Sequence, residues 1–360
     1  MKNKKHICII VDCLCGGGAE KVAASFSYSL EAAGYKVSII SLWDKITYKY
    51  TGKLYNLGEN ESHIKWIKQF KKILLFRKYY KEIDADFYVD FRMRNRFVLE
   101  LILHLFVFNI KKMVMSIQHF NIAYHIPKGH FFKKEYSKAR AIIGVSKDIE
   151  KALNKYHTFG NVTYIPNFIN KNLLQNFKTS QVDIPNNAIL AIGRLINPVK
   201  QFDKLILSYK NTESCKKGIP LIILGQGKDR EKLEAIIKTN NLQDTVKLLG
   251  FVSNPYDYIK HCKFLVLCSK YEGMPLVILE TLALETPVVS FNCKSGPSEL
   301  IKNKNNGLLV KDQDFKELEK SIDLLQTNKD LYNKLKANAS NSINNFTGDS
   351  VIKSWEVIFS

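Results

Sequence analysis

Short apolar runs alternate with amphipathic stretches along most of the chain, a pattern typical of β-α-β units built on a parallel sheet. Residues 6–12 (HICIIVD) and 36–42 (KVSIISL) predict strands, and residues 19–34 between them predict a helix that ends at Gly34. Later strands of the first half are predicted at KMVMSIQH and AIIGVS. The second half repeats the pattern, with strands predicted at AILAIGRL, PLIILGQG, VKLLGFV, FLVLCS and PVVSF.

The two strand series predict two domains. Each series opens with an apolar strand and a glycine-containing turn, so we expect an α/β protein with two Rossmann-like, doubly wound parallel-sheet domains. Prolines and asparagines interrupt the pattern near Tyr164–Asn187, which places the domains at residues 1–168 and 169–345. Residues 346–360 predict one more helix, which we expect to pack back on the N-terminal domain.

Composition supports a globular, reduced protein. Of the 360 residues, 46% are hydrophobic and 24% are charged, so the disordered and fibrous classes are excluded. Its 7 cysteines form no Cys-x-x-Cys pair and lie mostly in apolar stretches, which favours buried thiols over disulfides or a zinc site. We therefore expect a cytoplasmic protein.

The charge is distributed unevenly. Residues 1–180 carry 30 basic and 14 acidic side chains, a net charge of +16, whereas the whole chain carries +20. A one-sided basic field favours an anionic partner, such as a membrane surface, a phosphate-bearing ligand or nucleic acid. The alternative is that lysine is simply the default surface residue of this chain.

No segment of the sequence predicts a membrane span or a cleaved leader. The longest apolar stretch, Phe97–Ile110, has 14 residues and would cover only ~21 Å as a helix, less than the ~30 Å of a bilayer core. Because it also contains Glu100 and His104, it predicts a buried helix or a helix–strand junction.

A basic amphipathic helix is predicted at His63–Ile83. Its apolar members fall roughly on one face and are flanked by lysines and arginines, a combination that suits an anionic lipid surface. The alternative is an ordinary helix that covers the sheet. The apolar members are Trp66, Ile67, Phe70, Ile73, Leu74 and Tyr80.

Two carboxylates at a strand–loop–helix junction form the most specific pattern in the sequence. Glu272 ends the loop after FLVLCS, Pro275 suits the first turn of a helix, and Glu280 follows on that helix within an apolar run. Eight positions separate the acids, so they suit the two ends of an extended ligand rather than a shared proton. The alternative is an exposed loop glutamate beside an ordinary helix glutamate, but an unpaired carboxylate in an apolar helix would be costly.

Glycine turns and basic residues follow the first strand of each domain. Gly16, Gly17 and Gly18 precede a helix start and suit an anion, although they also fit a plain tight turn. Arg194 and Lys200 follow Gly193, at the sheet edge where α/β folds bind ligands. That pair could neutralise a diphosphate, although Lys200 taken alone would more often be solvated.

Together these segments resemble the retaining glycosyltransferases of family 4, which have the GT-B fold of two domains facing across a cleft. The resemblance runs in the family's order over nearly the whole chain. The segments are GGGAEK, GRL with Lys200, GQGKDREKLE, LLGFV, Glu272-x7-Glu280 and SGPSELI…NGLLV. Two segments depart from the common family pattern. The loop LINPVKQFD, which carries Lys200, is longer than usual. GPSE replaces the commoner Gly-Gly-x-Pro-Glu, so no role is assigned to Glu299.

The resemblance implies a role for each matching residue. Domain one would bind the acceptor and domain two a nucleotide sugar, with Glu280 on the ribose, Glu272 on the transferred sugar, and Arg194 and Lys200 on the diphosphate. His119 would lie near the sugar; the alternative is an ordinary loop histidine. The implied catalytic residues are Glu272, His119, Arg194 and Lys200. The implied donor-binding residues are Gly17, Gly18, Gly193, Arg194, Lys200, Gly250, Phe251, Val252, Glu272, Gly273, Met274, Pro275, Leu276 and Glu280.

The implied function is transfer of a hexosyl or N-acetylhexosaminyl group from a nucleotide diphosphate sugar, with a UDP-sugar preferred, to a lipid-linked glycan of surface polysaccharide synthesis. No metal site and no cofactor are expected, because no Asp-x-Asp motif stands at a strand end. The partners would be the donor, the acceptor and the anionic inner face of the plasma membrane. Alternatives are a GT-B epimerase or phosphorylase, or a basic nucleic-acid-binding protein.

Overall fold

The computed structural model describes residues 5–59, 65–157, 159–170, 174 and 182–360. Contacts between Cα atoms divide the chain into two compact units. Unit 1 comprises residues 1–170 and 346–360, and unit 2 comprises residues 171–345.

Unit 1 is built on a seven-stranded parallel sheet with the order β3-β2-β1-β4-β5-β6-β7. Its strands are His6–Val11, Lys36–Ser41, Lys53–Asn56, Phe87–Asp90, Met113–Ile117, Ala141–Gly144 and Val162–Tyr164, numbered β1 to β7 in that order. Its helices are Gly18–Ala32, Lys65–Ile83, Phe97–Phe106, His130–Tyr136, Lys147–His157 and Gly348–Phe359, with 3-10 turns at Ile110–Lys112 and Ile122–Tyr124.

Unit 2 is built on a six-stranded parallel sheet with the order β10-β9-β8-β11-β12-β13. The strands, β8 to β13 along the chain, are Ile189–Ile192, Leu221–Leu224, Val246–Gly250, Phe264–Leu267, Val288–Phe291 and Gly307–Val310. The helices are Asn197–Lys200, Phe202–Tyr209, Glu213–Lys216, Arg230–Thr239, Tyr256–His261, Leu276–Ala283, Pro297–Leu300, Phe315–Thr327 and Lys329–Ala339, followed by a 3-10 turn at Ser340–Phe346.

Both sheets have the doubly wound topology that the strand pattern predicts. The central strands are apolar without alternation, as in β1 and β11, because helices cover both faces of a parallel sheet. In each unit the strand order reverses beside the first strand, between β1 and β4 and between β8 and β11. The prediction of two Rossmann-like parallel-sheet domains is confirmed.

The last helix, Gly348–Phe359, packs within unit 1. Trp355 is 4% exposed, and its ring centroid lies 4.6 Å from that of Phe26 on the helix Gly18–Ala32. A parallel bridge between Ile169 and Thr347 fixes the start of the helix beside the end of the first segment of the unit.

The structure bears on two sequence predictions about apolar segments. The stretch Phe97–Ile110 is predicted to be a buried helix or a helix–strand junction. Its helix, Phe97–Phe106, buries Leu103 but exposes four of its eight large apolar side chains: Phe97, Val98, Leu105 and Phe106. In Lys65–Ile83, Phe70 and Leu74 are exposed whereas Tyr80 is buried, so the apolar residues do not share one solvent-facing surface. Residues 63 and 64, and the side chains of Trp66 and Ile67, lie outside the described residues.

Candidate active site

The loops that follow the strands of unit 2 meet at the carboxyl edge of the sheet. Strands β8 and β11 are hydrogen-bonded neighbours there, although β9 and β10 come between them in the sequence. Chains that leave two such strands diverge to opposite faces of the sheet, which opens a crevice where α/β proteins bind ligands. Lys200 follows β8 and Glu272 follows β11, so both residues border this crevice.

Lys200 and Glu272 form an ion pair at the crevice. Nζ of Lys200 lies 2.6 Å from Oε1 of Glu272, and the two side chains are only 18% and 13% exposed. The aliphatic stem of Lys200 passes beside Gly193, where an added Cβ would lie 3.3 Å from its Cδ and Cε. A charge-assisted hydrogen bond between partly buried groups fixes both side chains in one geometry.

The loop that carries Lys200 is tied to its neighbours on both sides. The backbone N–H of Asn197 donates to Oδ2 of Asp229 at 2.7 Å, and the amide of Gln201 donates to the carbonyl of Cys268 at 2.9 Å. The short helix Asn197–Lys200 is therefore anchored to the loops after β9 and β11. Lys200 is the last residue of this helix.

The loop that carries Glu272 rests on the loop after β12. The N–H of Glu272 donates to the carbonyl of Lys294 at 3.1 Å, and the hydroxyl of Ser295 donates to the carbonyl of Gly273 at 2.6 Å. Gly296 has a φ of +98°, and a Cβ there would overlap Pro275. The turn through Gly273, Met274 and Pro275 is thus held in place before the helix Leu276–Ala283 begins.

The loops after β8, β9 and β10 also touch one another. Gly225 donates its N–H to the carbonyl of Gly250 at 2.7 Å. It has a φ of +144°, and a Cβ there would overlap the carbonyl oxygen of Gly193. Beyond Gly250, Phe251 is 53% exposed. The glycines let three strand ends approach closely and leave an aromatic ring at the edge.

The remaining residues expected in unit 2 lie along the same chain segments. Arg194 is exposed in a tight turn, where the N–H of Ile196 donates to its carbonyl at 2.7 Å. Glu280 is 6% exposed on the helix Leu276–Ala283, among mostly apolar neighbours. The structure thus joins Lys200 directly to Glu272, keeps Arg194 in the loop before Lys200, and buries Glu280 on the helix after Glu272.

In unit 1, Gly17 and Gly18 stand at the start of the helix Gly18–Ala32. Gly17 is the residue before the first turn, and a Cβ on it would overlap Oε2 of Glu20. The Glu20 carboxylate therefore lies over the glycine turn, close to the positive end of the helix. An anionic ligand at Gly17 would have to displace or avoid this carboxylate.

His119 lies in the loop after β5. The backbone N–H of Asn121 donates to its Nδ1 at 3.0 Å, and its ring centroid lies 5.0 Å from that of Tyr124. Because Nδ1 acts as an acceptor, the neutral imidazole carries its proton on Nε2. The ring is half-buried and held at a defined tilt.

A buried charge network at the end of β4 was not foreseen from the sequence. Arg92 is 1% exposed and donates to Asp90 at 2.8 Å and to Glu100 at 3.1 Å. Burial alone would raise the pKa of Asp90, but Arg92 and Arg94 outweigh it and hold that pKa below its usual value. For Glu100, burial is the stronger influence and raises the pKa.

Arg94 connects this network to the His119 loop. Its guanidinium donates to the carbonyls of His125 at 2.8 Å, Asp90 at 2.9 Å and Ser116 at 3.0 Å. Ser116 and His125 flank His119 on either side, so Arg94 fixes both ends of the loop. A sequence of arginines normally predicts a solvated surface, which is why these residues carried no prediction.

Asp229, Gln201 and Ser295 were likewise given no role from the sequence, although each positions a site loop. Asp229 and Ser295 lie inside segments that carry the family resemblance, and this position is the feature of the sequence that could have indicated their role. Across the described ranges, no three His, Cys, Asp or Glu side chains come together in an arrangement that could hold a metal ion. No helix in the described ranges is both long enough and apolar enough to cross a bilayer.

Comparison with known proteins agrees with this architecture. Residues 175–342 match the family described as Glycosyl transferases group 1. The chain is 26% identical to an uncharacterized glycosyltransferase of Haemophilus influenzae, with 95% of this chain and 96% of the relative covered. It is also 26% identical, with 97% and 96% covered, to the Campylobacter jejuni GalNAc-alpha-(1->4)-GalNAc-alpha-(1->3)-diNAcBac-PP-undecaprenol alpha-1,4-N-acetyl-D-galactosaminyltransferase.

Among solved structures, a TarM mutant of S. aureus in complex with Fondaparinux, alpha-GlcNAc-glycerol and UDP superposes with a TM-score of 0.80. The match covers 99% of this chain and 100% of TarM at 15% identity, and it supports the GT-B fold. The likeness to this solved structure shows the GT-B fold. Residues 175–342, which lie within unit 2, resemble the group 1 glycosyltransferases.

Proposed function

We propose that the protein is a retaining, metal-independent glycosyltransferase of family 4. It moves a hexosyl or N-acetylhexosaminyl group from a nucleotide diphosphate sugar, preferably a UDP-sugar, to a lipid-linked glycan. The observation that carries the proposal is the Lys200–Glu272 ion pair at the crevice between β8 and β11. One partner suits a diphosphate and the other suits sugar hydroxyls, and they are held 2.6 Å apart.

In this proposal, Lys200 and Arg194 neutralise the diphosphate and stabilise the negative charge that grows on it as it leaves. Glu272 accepts hydrogen bonds from hydroxyls of the transferred sugar, and the backbone of Gly273, Met274, Pro275 and Leu276 lies along the diphosphate and sugar. Two cationic side chains can supply the charge that a divalent ion provides elsewhere, which is the basis for proposing metal independence.

The nucleoside end of the donor extends along the same edge. Glu280 accepts from the ribose hydroxyls, while the backbone of Gly250, Phe251 and Val252 holds the base. The exposed ring of Phe251 and the contact between Gly225 and Gly250 support a base-binding role here. Gly193 allows close approach of the diphosphate, and Gly17 and Gly18 are proposed as further donor contacts.

Retention of configuration requires attack on the face from which the diphosphate leaves. The bond from C1 to the diphosphate oxygen breaks, the bond from C1 to the acceptor oxygen forms, and the acceptor proton passes to the departing diphosphate. His119 is proposed to lie near the sugar, where its Nε2–H would donate a hydrogen bond.

The acceptor and the location follow from the relatives and the charge. A relative's name includes a diphospho-undecaprenol-linked glycan, and unit 1 carries the basic excess. We therefore propose that unit 1 takes the acceptor and that the protein works in the cytoplasm at the inner face of the plasma membrane. The pathway would be synthesis of a surface polysaccharide such as a capsule or lipopolysaccharide.

The test begins with a thermal-shift screen of nucleotide sugars, followed by acceptor-dependent release of the nucleoside diphosphate. Arg194→Ala and Glu280→Ala should each lower donor turnover at least about a hundredfold, and Lys217→Ala, an exposed lysine, should leave it unchanged. Turnover should persist in chelator, and NMR of the product should show the donor's anomeric configuration. Near wild-type turnover of both variants would contradict the assignment, and acceptor-independent conversion of the sugar would favour an epimerase.

A further inference from the structure

The helix Phe97–Phe106 buries polar side chains and exposes apolar ones, the reverse of an ordinary surface helix. Its buried positions include Glu100 at 1% exposure and His104 at 8%, which are held by Arg92 and by the backbone. Its exposed positions are apolar. A surface helix of a soluble domain normally has the opposite arrangement, so burial within the chain does not explain this sequence.

The exposed apolar side chains form one face. Val98 is 67% exposed, Phe106 60%, Leu105 55% and Phe97 49%, and at 100° per residue these four positions span about half of the helix circumference. Met93, just before the helix, is 52% exposed. These five residues are the apolar patch. On ordinary protein surfaces, large apolar side chains are exposed singly, whereas here five are exposed on one short segment.

Basic side chains are frequent in the chain segments next to the apolar patch. Between Met93 and Lys134 the chain has seven lysines and arginines and a single acidic residue, Glu100, which is buried. The ring of Phe97 packs against Phe132 with centroids 5.3 Å apart, on the helix that carries Lys133. A concavity of about 520 Å³, lined in part by Lys128 and Lys133, lies beside that contact. The exposed basic residues of these segments are Arg96, Lys111, Lys128, Lys133 and Lys134.

The apolar patch also connects to the loop of His119. The N–H of Arg94, next to Met93, donates to the carbonyl of Tyr124 at 2.7 Å. The ring of Tyr124 lies 5.0 Å from that of His119. A molecule bound at the patch would therefore lie close to the loop that carries His119.

We propose that the apolar patch of Phe97–Phe106 is the surface by which the protein inserts into an anionic lipid bilayer. The apolar side chains enter the headgroup–acyl boundary while the surrounding basic side chains contact lipid phosphates. A second copy of the chain fits less well, because it would bring two basic rims together in an apolar contact. The inference rests on the proposed function only where it implies that a lipid-linked acceptor is taken from the same bilayer.

Flotation of the full-length protein with vesicles tests the surface directly. The wild type should bind vesicles of phosphatidylcholine and phosphatidylglycerol, bind phosphatidylcholine alone more weakly, and lose affinity in high salt. Val98→Ser combined with Phe106→Ser should lower binding to the mixed vesicles at least about tenfold, since two exposed apolar anchors are removed. Lys128→Glu combined with Lys133→Glu should abolish the preference for phosphatidylglycerol.

Val357→Ser is the matched control, because Val357 is 69% exposed on another helix of unit 1; it should bind as the wild type does. Thermal unfolding should be unchanged in every variant. Equal vesicle binding by the Val98/Phe106 variant would overturn the proposal. So would a dimer that this variant alone converts to a monomer, because the patch would then serve a second copy. If the protein binds vesicles through the patch but turns over no nucleotide sugar, the proposed function is contradicted, whereas the proposed bilayer-binding surface is supported.

Discussion

Lys200 and Glu272 lie 72 positions apart in the sequence and share a hydrogen bond of 2.6 Å. The contact exists because β8 and β11 are neighbours in the sheet, so their following loops leave the same edge. Each loop is held from outside the pair, one by Asp229 and the other by Ser295. The pair is therefore preorganised before any ligand arrives, which is the arrangement that favours electrostatic stabilisation of a leaving group.

Removing either member of the pair should impair the same step. Lys200→Ala and Glu272→Gln should each lower donor turnover about 10²- to 10³-fold, because each leaves the other without its positioning partner. The double variant should be nearly as active as the slower single variant, since residues in contact do not contribute independently. Steady-state kinetics of the wild type, the two single variants and the double variant give the coupling free energy between the residues. If the two single losses of transition-state stabilisation simply add in the double variant, the residues act separately.

Gly225→Ala should destabilise unit 2 by about 3 kcal/mol. The residue has a φ of +144°, and its Cβ would overlap the carbonyl oxygen of Gly193, so the strand ends must separate. Urea unfolding followed by far-ultraviolet circular dichroism measures the loss. Gly218→Ala is the control, because Gly218 has a φ of +68° with no atom within 4 Å of an added Cβ. It should cost only about 1 kcal/mol; equal losses would mean that the close approach to Gly193 is unimportant.

Trp355→Ala should destabilise unit 1 by about 3–5 kcal/mol and leave unit 2 unchanged. The indole is 4% exposed and packs 4.6 Å, centroid to centroid, from Phe26. The two other tryptophans, Trp43 and Trp66, also belong to unit 1, so their fluorescence follows that unit alone during urea unfolding. Val357→Ala, at a 69% exposed position of the same helix, should be nearly neutral. A comparable loss in both variants would exclude burial of Trp355 as the cause.

The stability of unit 1 should fall as the pH is lowered from 7 towards 5. Burial, reinforced by the positive charge of Arg94, holds the pKa of His125 well below its ordinary value of about 6.5. The unfolded chain therefore takes up a proton in this range while the folded one does not. Stability is complete above about pH 6.5 and declines below it, by up to about 1.4 kcal/mol per pH unit for one histidine.

Urea unfolding at several pH values measures this slope. His125→Gln should flatten the slope, and His261→Gln, an exposed position in unit 2, should not change it. His104 has a lowered pKa for the same reason and adds in the same direction. Glu100 has a raised pKa, so its contribution to stability is lost as the pH rises, opposite to the effect of the histidines. The difference in slope between the wild type and His125→Gln therefore measures the contribution of His125 alone. A slope that survives His125→Gln would assign the effect to another group.

The sheets could be predicted because parallel strands are apolar on both faces, as the run from Ile7 to Val11 is. The closeness of Lys200 and Glu272 could be predicted for a related reason. Residues that directly follow strands, such as Lys200 and Glu272, must reach the same edge once the sheet is parallel. The resemblance to glycosyltransferases was also evident from segments around these strand ends.

Long-range polar contacts could not be predicted. Nothing in the local pattern pairs Asp229 with Asn197, because that contact depends on how two loops meet. The buried pair Arg92 and Asp90 contradicts the usual exposure of charged side chains. The helix Phe97–Phe106 differs from its prediction in the opposite direction. Its apolar composition predicted a buried element, but four of its apolar side chains are exposed.

The chain enters unit 2 after Asn170 and returns to unit 1 at Phe346. A ribosome therefore releases every residue of unit 2 before it releases Trp355, which closes the core around Phe26. During synthesis, unit 2 can complete its folding before the helix Gly348–Phe359 is available to unit 1. A nascent chain stalled before residue 346 would expose the uncovered side of the helix Gly18–Ala32 to chaperones, so this protein is expected to mature in the reverse of its domain order.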